Sequence, residues 1–168
     1  MGSPHEAEIV ACIPSLRRYA RGLAHDPQRA DDLVQDTLER AWGRFSMWQR
    51  RGAIRSWMFG IMHNLYIDRL RSQRNSPEED AGEELPEAVA APADRLGLRD
   101  LERALQRLST EQREVLLLVG VEEFSYQEAA AVLGVPLGTV MSRLSRARER
   151  LRAELEGRSL PLRMQRVK

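Results

Sequence analysis

The chain offers almost no cysteine chemistry, no long apolar run and next to no lysine. Its one cysteine, Cys12, has no partner for an internal disulfide. The three histidines, His5, His25 and His63, show none of the spacings by which His and Cys ligands share an ion, so neither a metal site nor a cofactor is expected. No stretch approaches the roughly 18 consecutive apolar residues of a membrane span, and the opening MGSPHEAEIVACIPS lacks the basic and apolar segments of a secretory signal. A soluble, cytoplasmic protein with no direct membrane insertion is the expectation. No nucleophile, base or metal set converges, which argues against an enzyme and against a small-molecule substrate. Sustained period-two alternation is missing as well, so strands find no support and the expected fold class is all-α.

Charge is abundant and unevenly placed. The net charge of the 168 residues is only +1, yet residues 1–74 carry 12 Arg against 8 acids, residues 75–94 carry 7 acids and no base, and residues 95–168 carry 14 bases against 10 acids. Two basic blocks flanking an acidic spacer point to two polyanion-facing modules on a tether. Of the 26 basic residues only Lys168 is not arginine, a bias through the whole chain that reads first as genome composition and second as phosphate affinity.

Hydrophobic periodicity divides the chain at the same places. Leu16, Tyr19, Ala20 and Leu23 recur at helical spacing after Pro14, and His25-Asp26-Pro27 closes that helix and caps the next. In the next, Ala30, Leu33, Val34, Thr37, Leu38, Ala41, Trp42 and Phe45 form an apolar face, leaving Asp32, Gln35, Asp36 and Glu39 outward. Residues 46–52 read as a loop, and a third helix is expected from about Ala53 to Arg71. Residues 75–94, with three prolines and seven acids, cannot bury enough surface to offset the entropy of ordering and read as a flexible linker. Beyond it, Leu98, Leu101, Leu105 and Leu108 make a helical stripe. Ser109 with Gln112, and Ser125 with Glu128, read as capping boxes, and Pro136 opens a long helix to about Leu155. The expected architecture is two small helical domains, 1–74 and 95–168, joined by the acidic linker 75–94.

Ala130, Gly134 and Val140 stand at the spacing of a helix-turn-helix: a small residue where helices touch, a glycine at the turn, an apolar anchor on the second helix. On that second helix Val140, Leu144, Ala147, Leu151 and Leu155 share one face. Ser142, Ser145, Arg146 and Glu149 then point the opposite way, flanked by Met141 and Arg143, with Arg148, Arg150 and Arg152 in reach of phosphates. A solvated amphipathic helix is the plain alternative. Residues 44–74 hold seven Arg against the single acid Asp68, and residues 42–57 contain all three tryptophans, a mixture suited to single-stranded nucleic acid. Trp42 and Trp57 fall on apolar faces and read as core; Trp48, in the loop, is the candidate base contact. The acidic and amide face at 32–39 suits a basic protein partner or plain solvation, not DNA.

The run ADDLVQDTLERAWGRF, the Trp/Arg stretch ending IMHNLYIDRLR, and LSTEQREVLLLVGVEEFSYQEAAAVLGVPLGTVMSRLSRARERL together resemble a bacterial RNA polymerase sigma factor of the extracytoplasmic function (ECF) group, over about residues 10–155. The resemblance implies a dissociable subunit for transcription initiation in stress response, with core RNA polymerase, promoter DNA and an anti-sigma factor as partners. It implies core-polymerase contacts at Asp32, Gln35 and Asp36, to which Glu39 on the same face is added, and −10 element contacts at Asn64 and the 46–53 loop with Trp48, Arg50 and Arg51, to which Arg55 of the same basic segment is added. It places −35 contacts at Ser142, Arg143 and Arg146, to which the helix face adds Ser145, Arg148 and Arg150. Met141 departs from the family, many members of which carry Arg or Lys there. The linker would thread the polymerase interior, its acids imitating an RNA backbone, or would serve as a tether alone. Fully extended, its twenty residues reach roughly 66–72 Å. A polymerase-independent helix-turn-helix regulator is the alternative function; it would leave the Trp/Arg segment idle.

Overall fold

The structure is a computed structural model and describes residues 2, 4–48, 52–75 and 93–157, with α4 side chains from Gly97 onward. Arg50 and Arg51, the acidic run 76–92 and the basic tail lie outside the described residues. Among the described residues seven α-helices carry the fold: α1 (Pro4–Leu23), α2 (Pro27–Arg44), α3 (Ile54–Asn75), α4 (Ala93–Gln106), α5 (Thr110–Leu116), α6 (Tyr126–Leu133) and α7 (Leu137–Glu156). Among the described residues there is no strand. The ends of the expected linker, Asn75 and Asp94, belong to α3 and α4.

Helix α1 starts ten residues before the expected boundary, and Pro14 lies inside it. The reason is tertiary. Ile9 and Cys12 continue the buried face of Leu16, Tyr19, Ala20 and Leu23, while Pro14 and Val10 lie on the exposed side, where water can hydrate the carbonyl that proline leaves without a donor. Burial at Cys12 pushes its thiol up. Asp26 caps α2, its carboxylate accepting from the Gln28 backbone N–H at 3.0 Å, with Pro27 at the first helical position. Residues 45–47, expected partly in a loop, form one 3₁₀ turn.

Helix α3 has apolar residues all round because it is covered from two sides. Met58, Phe59, Met62, Leu65 and Tyr66 are buried between α2 and α1 on one flank and α6 on the other. Both capping boxes form: Ser109 and Gln112 open α5, and Ser125 and Glu128 open α6. Helix α5 runs into a wider π turn, Leu117–Val121, ahead of the helix-turn-helix. The turn between α6 and α7 uses Gly134 in the left-handed region, φ 65°. Val140, Leu144 and Ala147 bury the start of α7 as expected, but Leu155 is exposed: at that end of the helix it is Glu154 that faces the chain just beyond α4, taking a bond from Arg107 at 2.9 Å. The expected stripe of α4 is a boundary: Leu98 and Leu101 are exposed, Leu105 is half-buried, and Leu108, just beyond the helix, is buried.

The two modules share one core. Phe59 of α3 meets Phe124, just before α6, edge to face at 4.9 Å between centroids, and both are almost fully buried. Such a pair contributes about 0.5–1.5 kcal/mol beyond its area. Gly22 lets α1 close on the π turn, since a Cβ there would lie 2.6 Å from a Leu117 methyl. At Gly134 the constraint is backbone alone, with no atom near a would-be Cβ. Gly134→Ala is expected to lower unfolding free energy by about 1–2 kcal/mol, measurable by urea denaturation; an unchanged midpoint would show that the turn tolerates a side chain.

Candidate functional surfaces

Three surfaces carry the expected site residues. On α2, Asp32, Gln35, Asp36 and Glu39 are all exposed, with Gln35 donating to Glu39 at 3.3 Å and Asp36 paired with Arg69 of α3. Trp42 lies one turn beyond Glu39 and, against the expectation of a core position, is 56 % exposed. The apolar stripe of α2 ends at Ala41; the next residue, about 100° further round, falls off its edge.

Trp48 has the reverse placement. It is half-buried in a cluster with Phe45, Trp57 and His5, 6.0 Å from Trp57 between ring centroids. Asn64 is exposed on α3. Arg55 is held by the other module: its guanidinium donates to the Glu122 carbonyl at 2.6 Å and carboxylate at 3.2 Å and lies 4.2 Å over the Phe124 ring. On α7, Ser142, Ser145, Arg146, Arg148 and Arg150 are exposed, as is Met141. Ser142 donates back to the Thr139 carbonyl at 3.2 Å. Arg143 is three-quarters buried and paired with Glu111 at 3.6 Å, so it is the least available of the group.

A polar cluster between the modules was not anticipated. The Glu122 side chain has no solvent exposure and takes bonds from Arg18 at 2.9 and 3.1 Å as well as from Arg55. This carboxylate raises the Arg18 pKa above its ordinary value, through the hydrogen bond first and Coulomb attraction second. Glu114 is also buried, paired with His63 of α3. Burial first, then the Glu114 charge, pushes the Tyr19 phenol well up. Arg113, buried, donates to the Leu23 carbonyl at 3.1 Å and to those of Leu105, Gln106 and Leu108 at 2.9–3.1 Å, so one guanidinium caps the ends of α1 and α4. Nothing in the sequence distinguishes these residues from their solvated neighbours, because burial of a charge depends on which helices meet.

An acidic helix face, an aromatic and basic segment, and a helix-turn-helix on one chain are the make-up of a promoter-recognition subunit. Residues 9–63 match the Sigma2 domain of PhyR, and residues 98–151 match Sigma-70, region 4. The chain is 39 % identical over 150 residues to the ECF RNA polymerase sigma factor EcfG of Rhodopseudomonas palustris, covering 88 % of this chain and 83 % of that protein. It is 35 % identical over 158 residues to the ECF RNA polymerase sigma factor SigC of Mycobacterium tuberculosis, with 92 % and 85 % covered. A sigma factor of Bartonella quintana, solved in complex with the anti-sigma factor NepR, superposes with a TM-score of 0.78 at 35 % identity, over 93 % of this chain and 98 % of that one. The chain belongs to the ECF sigma factors of bacterial RNA polymerase.

The exposures set apart two substitutions. Arg113→Ala would strip four carbonyls of a charged donor and is expected to cost at least about 3 kcal/mol. Trp42→Ala should stay within about 0.5 kcal/mol, as for most surface changes. Urea unfolding of both variants checks this; a large loss at Trp42 would contradict its exposed placement.

Proposed function

We propose that this chain is a dissociable initiation subunit, without a catalytic centre of its own, that works in the cytoplasm. In this reading residues 1–74 bind polymerase and the −10 element, 75–94 link, and 95–168 read the −35 element. The observation that carries it is the opposite chemistry of two outward helix faces. The α2 face offers Asp32, Gln35, Asp36 and Glu39 to a basic protein surface, which no polyanion would accept. The α7 face offers Ser142, Ser145 and Arg146 to base edges and Arg148 and Arg150 to phosphates, on a helix seated by Val140, Leu144 and Ala147.

Arg143 completes the −35 surface once released from Glu111. Trp48, Arg50, Arg51, Arg55 and Asn64 form the −10 surface, Asn64 taking the hydrogen-bonding edge of an extruded base. An anti-sigma factor is a further partner, as for the solved relative bound to NepR and for CnrH, solved with the cytosolic domain of CnrY. No helix among the described residues is long and apolar enough to cross a membrane.

Transcription with core polymerase on a promoter library tests the reading. Replacing Asp32 and Asp36 together by Ala is expected to weaken competition for core by at least about tenfold, the equivalent of one charge-assisted hydrogen bond, and to leave the fold intact. Arg146→Ala should lose about 1–3 kcal/mol on the cognate −35 element and little on a scrambled one, whereas Arg148→Ala should weaken both alike. Duplex binding at full strength without polymerase would favour the independent regulator instead.

A further inference from the structure

Glu122 is held by two arginines of the other module in the geometry by which arginines hold a phosphate. Arg18 presents a two-pronged fork, Nε to one carboxylate oxygen at 2.9 Å and Nη2 to the other at 3.1 Å, and Arg55 adds a bond to the second oxygen at 3.2 Å. Both guanidinia are reachable from solvent, at 56 % and 34 % side-chain exposure, while the carboxylate between them is fully buried. The backbone is arranged for this placement. Glu123 sits at φ 59°, a costly conformation for a residue with a side chain, and it turns the chain so that Glu122 and Phe124 both enter the interface while Glu123 faces water. The Glu122 and Phe124 amides are tied back to the Leu117 and Leu118 carbonyls at 2.9 Å. The anion is thus a rigid part of the C-terminal module, and the two cations belong wholly to the N-terminal one.

We infer that Arg18 and Arg55 form a binding site for a backbone phosphate of promoter DNA, and that Glu122 occupies it in the packed form as an internal substitute. Carboxylate and phosphate oxygens are interchangeable partners for an arginine fork. Separating the modules takes the carboxylate away and leaves two converging cations beside an uncovered Phe59, a surface with charge for the backbone and an aromatic face for a base. The packed form therefore withholds Arg55 from DNA, and parting the modules releases it. Arg18, on α1 and remote in sequence from the Trp/Arg segment, joins the −10 surface. This inference rests on the reading of Arg55 as a promoter contact. Transcription tests that reading, whereas the titration below needs no polymerase and tests the exchange alone.

The full chain is titrated against a fluorescein-labelled, mixed-sequence single-stranded 20-mer by anisotropy at several salt concentrations, and its radius of gyration is followed by small-angle scattering. Glu122→Gln is expected to enlarge the radius and tighten oligonucleotide binding about tenfold, steepening the log–log salt slope by about 1.4 for two contacts. Glu123→Gln makes the same change in net charge one residue away and should leave both readings at wild type. Arg18→Ala should also enlarge the radius but without tighter binding, and Glu122→Gln with Arg18→Ala should lose most of the gain, with a slope about 0.7 shallower than Glu122→Gln alone. A radius unchanged in Arg18→Ala overturns the latch. Tight binding retained in the double variant, or gained equally by Glu123→Gln, overturns the phosphate site.

Discussion

A carboxylate with no access to water is tolerated inside a protein only beside cations and donors that replace its hydration. Glu122 meets that condition through Arg18 and Arg55, one on α1 and one at the start of α3, and so sets where the helix-turn-helix module sits against the first three helices. The apolar contacts follow from the same placement. Phe124 enters beside Phe59 under the Arg55 guanidinium, α6 lies along α3, and Gly22 admits Leu117. Taking either cation away would leave the buried carboxylate with one arginine in place of two, which costs more than losing a pair on the open surface.

The second constraint is the division of labour between helix faces. Helices α2 and α7 each bury a narrow apolar stripe and leave an outer face on which one chemistry is grouped, carboxylates and amides at 32–39 of α2 beside Arg29 and Arg40, hydroxyls and arginines at 142–150 of α7 beside Glu149. Apart from Asp36 and Arg143, which pair with Arg69 and Glu111, neither outer face is engaged in the packing, so each is free to serve a partner. Helix α3 has no such freedom at its start. Arg55 there is used inside the packed protein, and its use on DNA competes with its use in the fold.

The capping boxes, the turn glycine and the anchors of α7 were all legible, because each depends on residues within four positions of one another, where spacing alone decides what can touch. The tryptophans were not. Trp42 lies at the edge of a stripe whose width only the neighbouring helix decides, and Trp48 is drawn inward by rings from α1 and α3 that no local pattern brings near it. Pro14 gave a false helix start for a similar reason: burial of Ile9 and Cys12 outweighed the lost hydrogen bond.

By itself, then, the sequence determined the helices, their caps, the helix-turn-helix, the acidic face of α2 and the basic face of α7, together with the family to which these belong. All are local or periodic properties, carried by neighbours along the chain. Tertiary structure alone decided that the two modules share a core, that Glu114 and Glu122 are buried, and that Arg18 and Arg55 converge on one anion from positions 37 residues apart. Arginine and glutamate carry no mark in the sequence of whether they will face water or each other; that is settled only when helices distant in the chain come together and exclude the solvent between them.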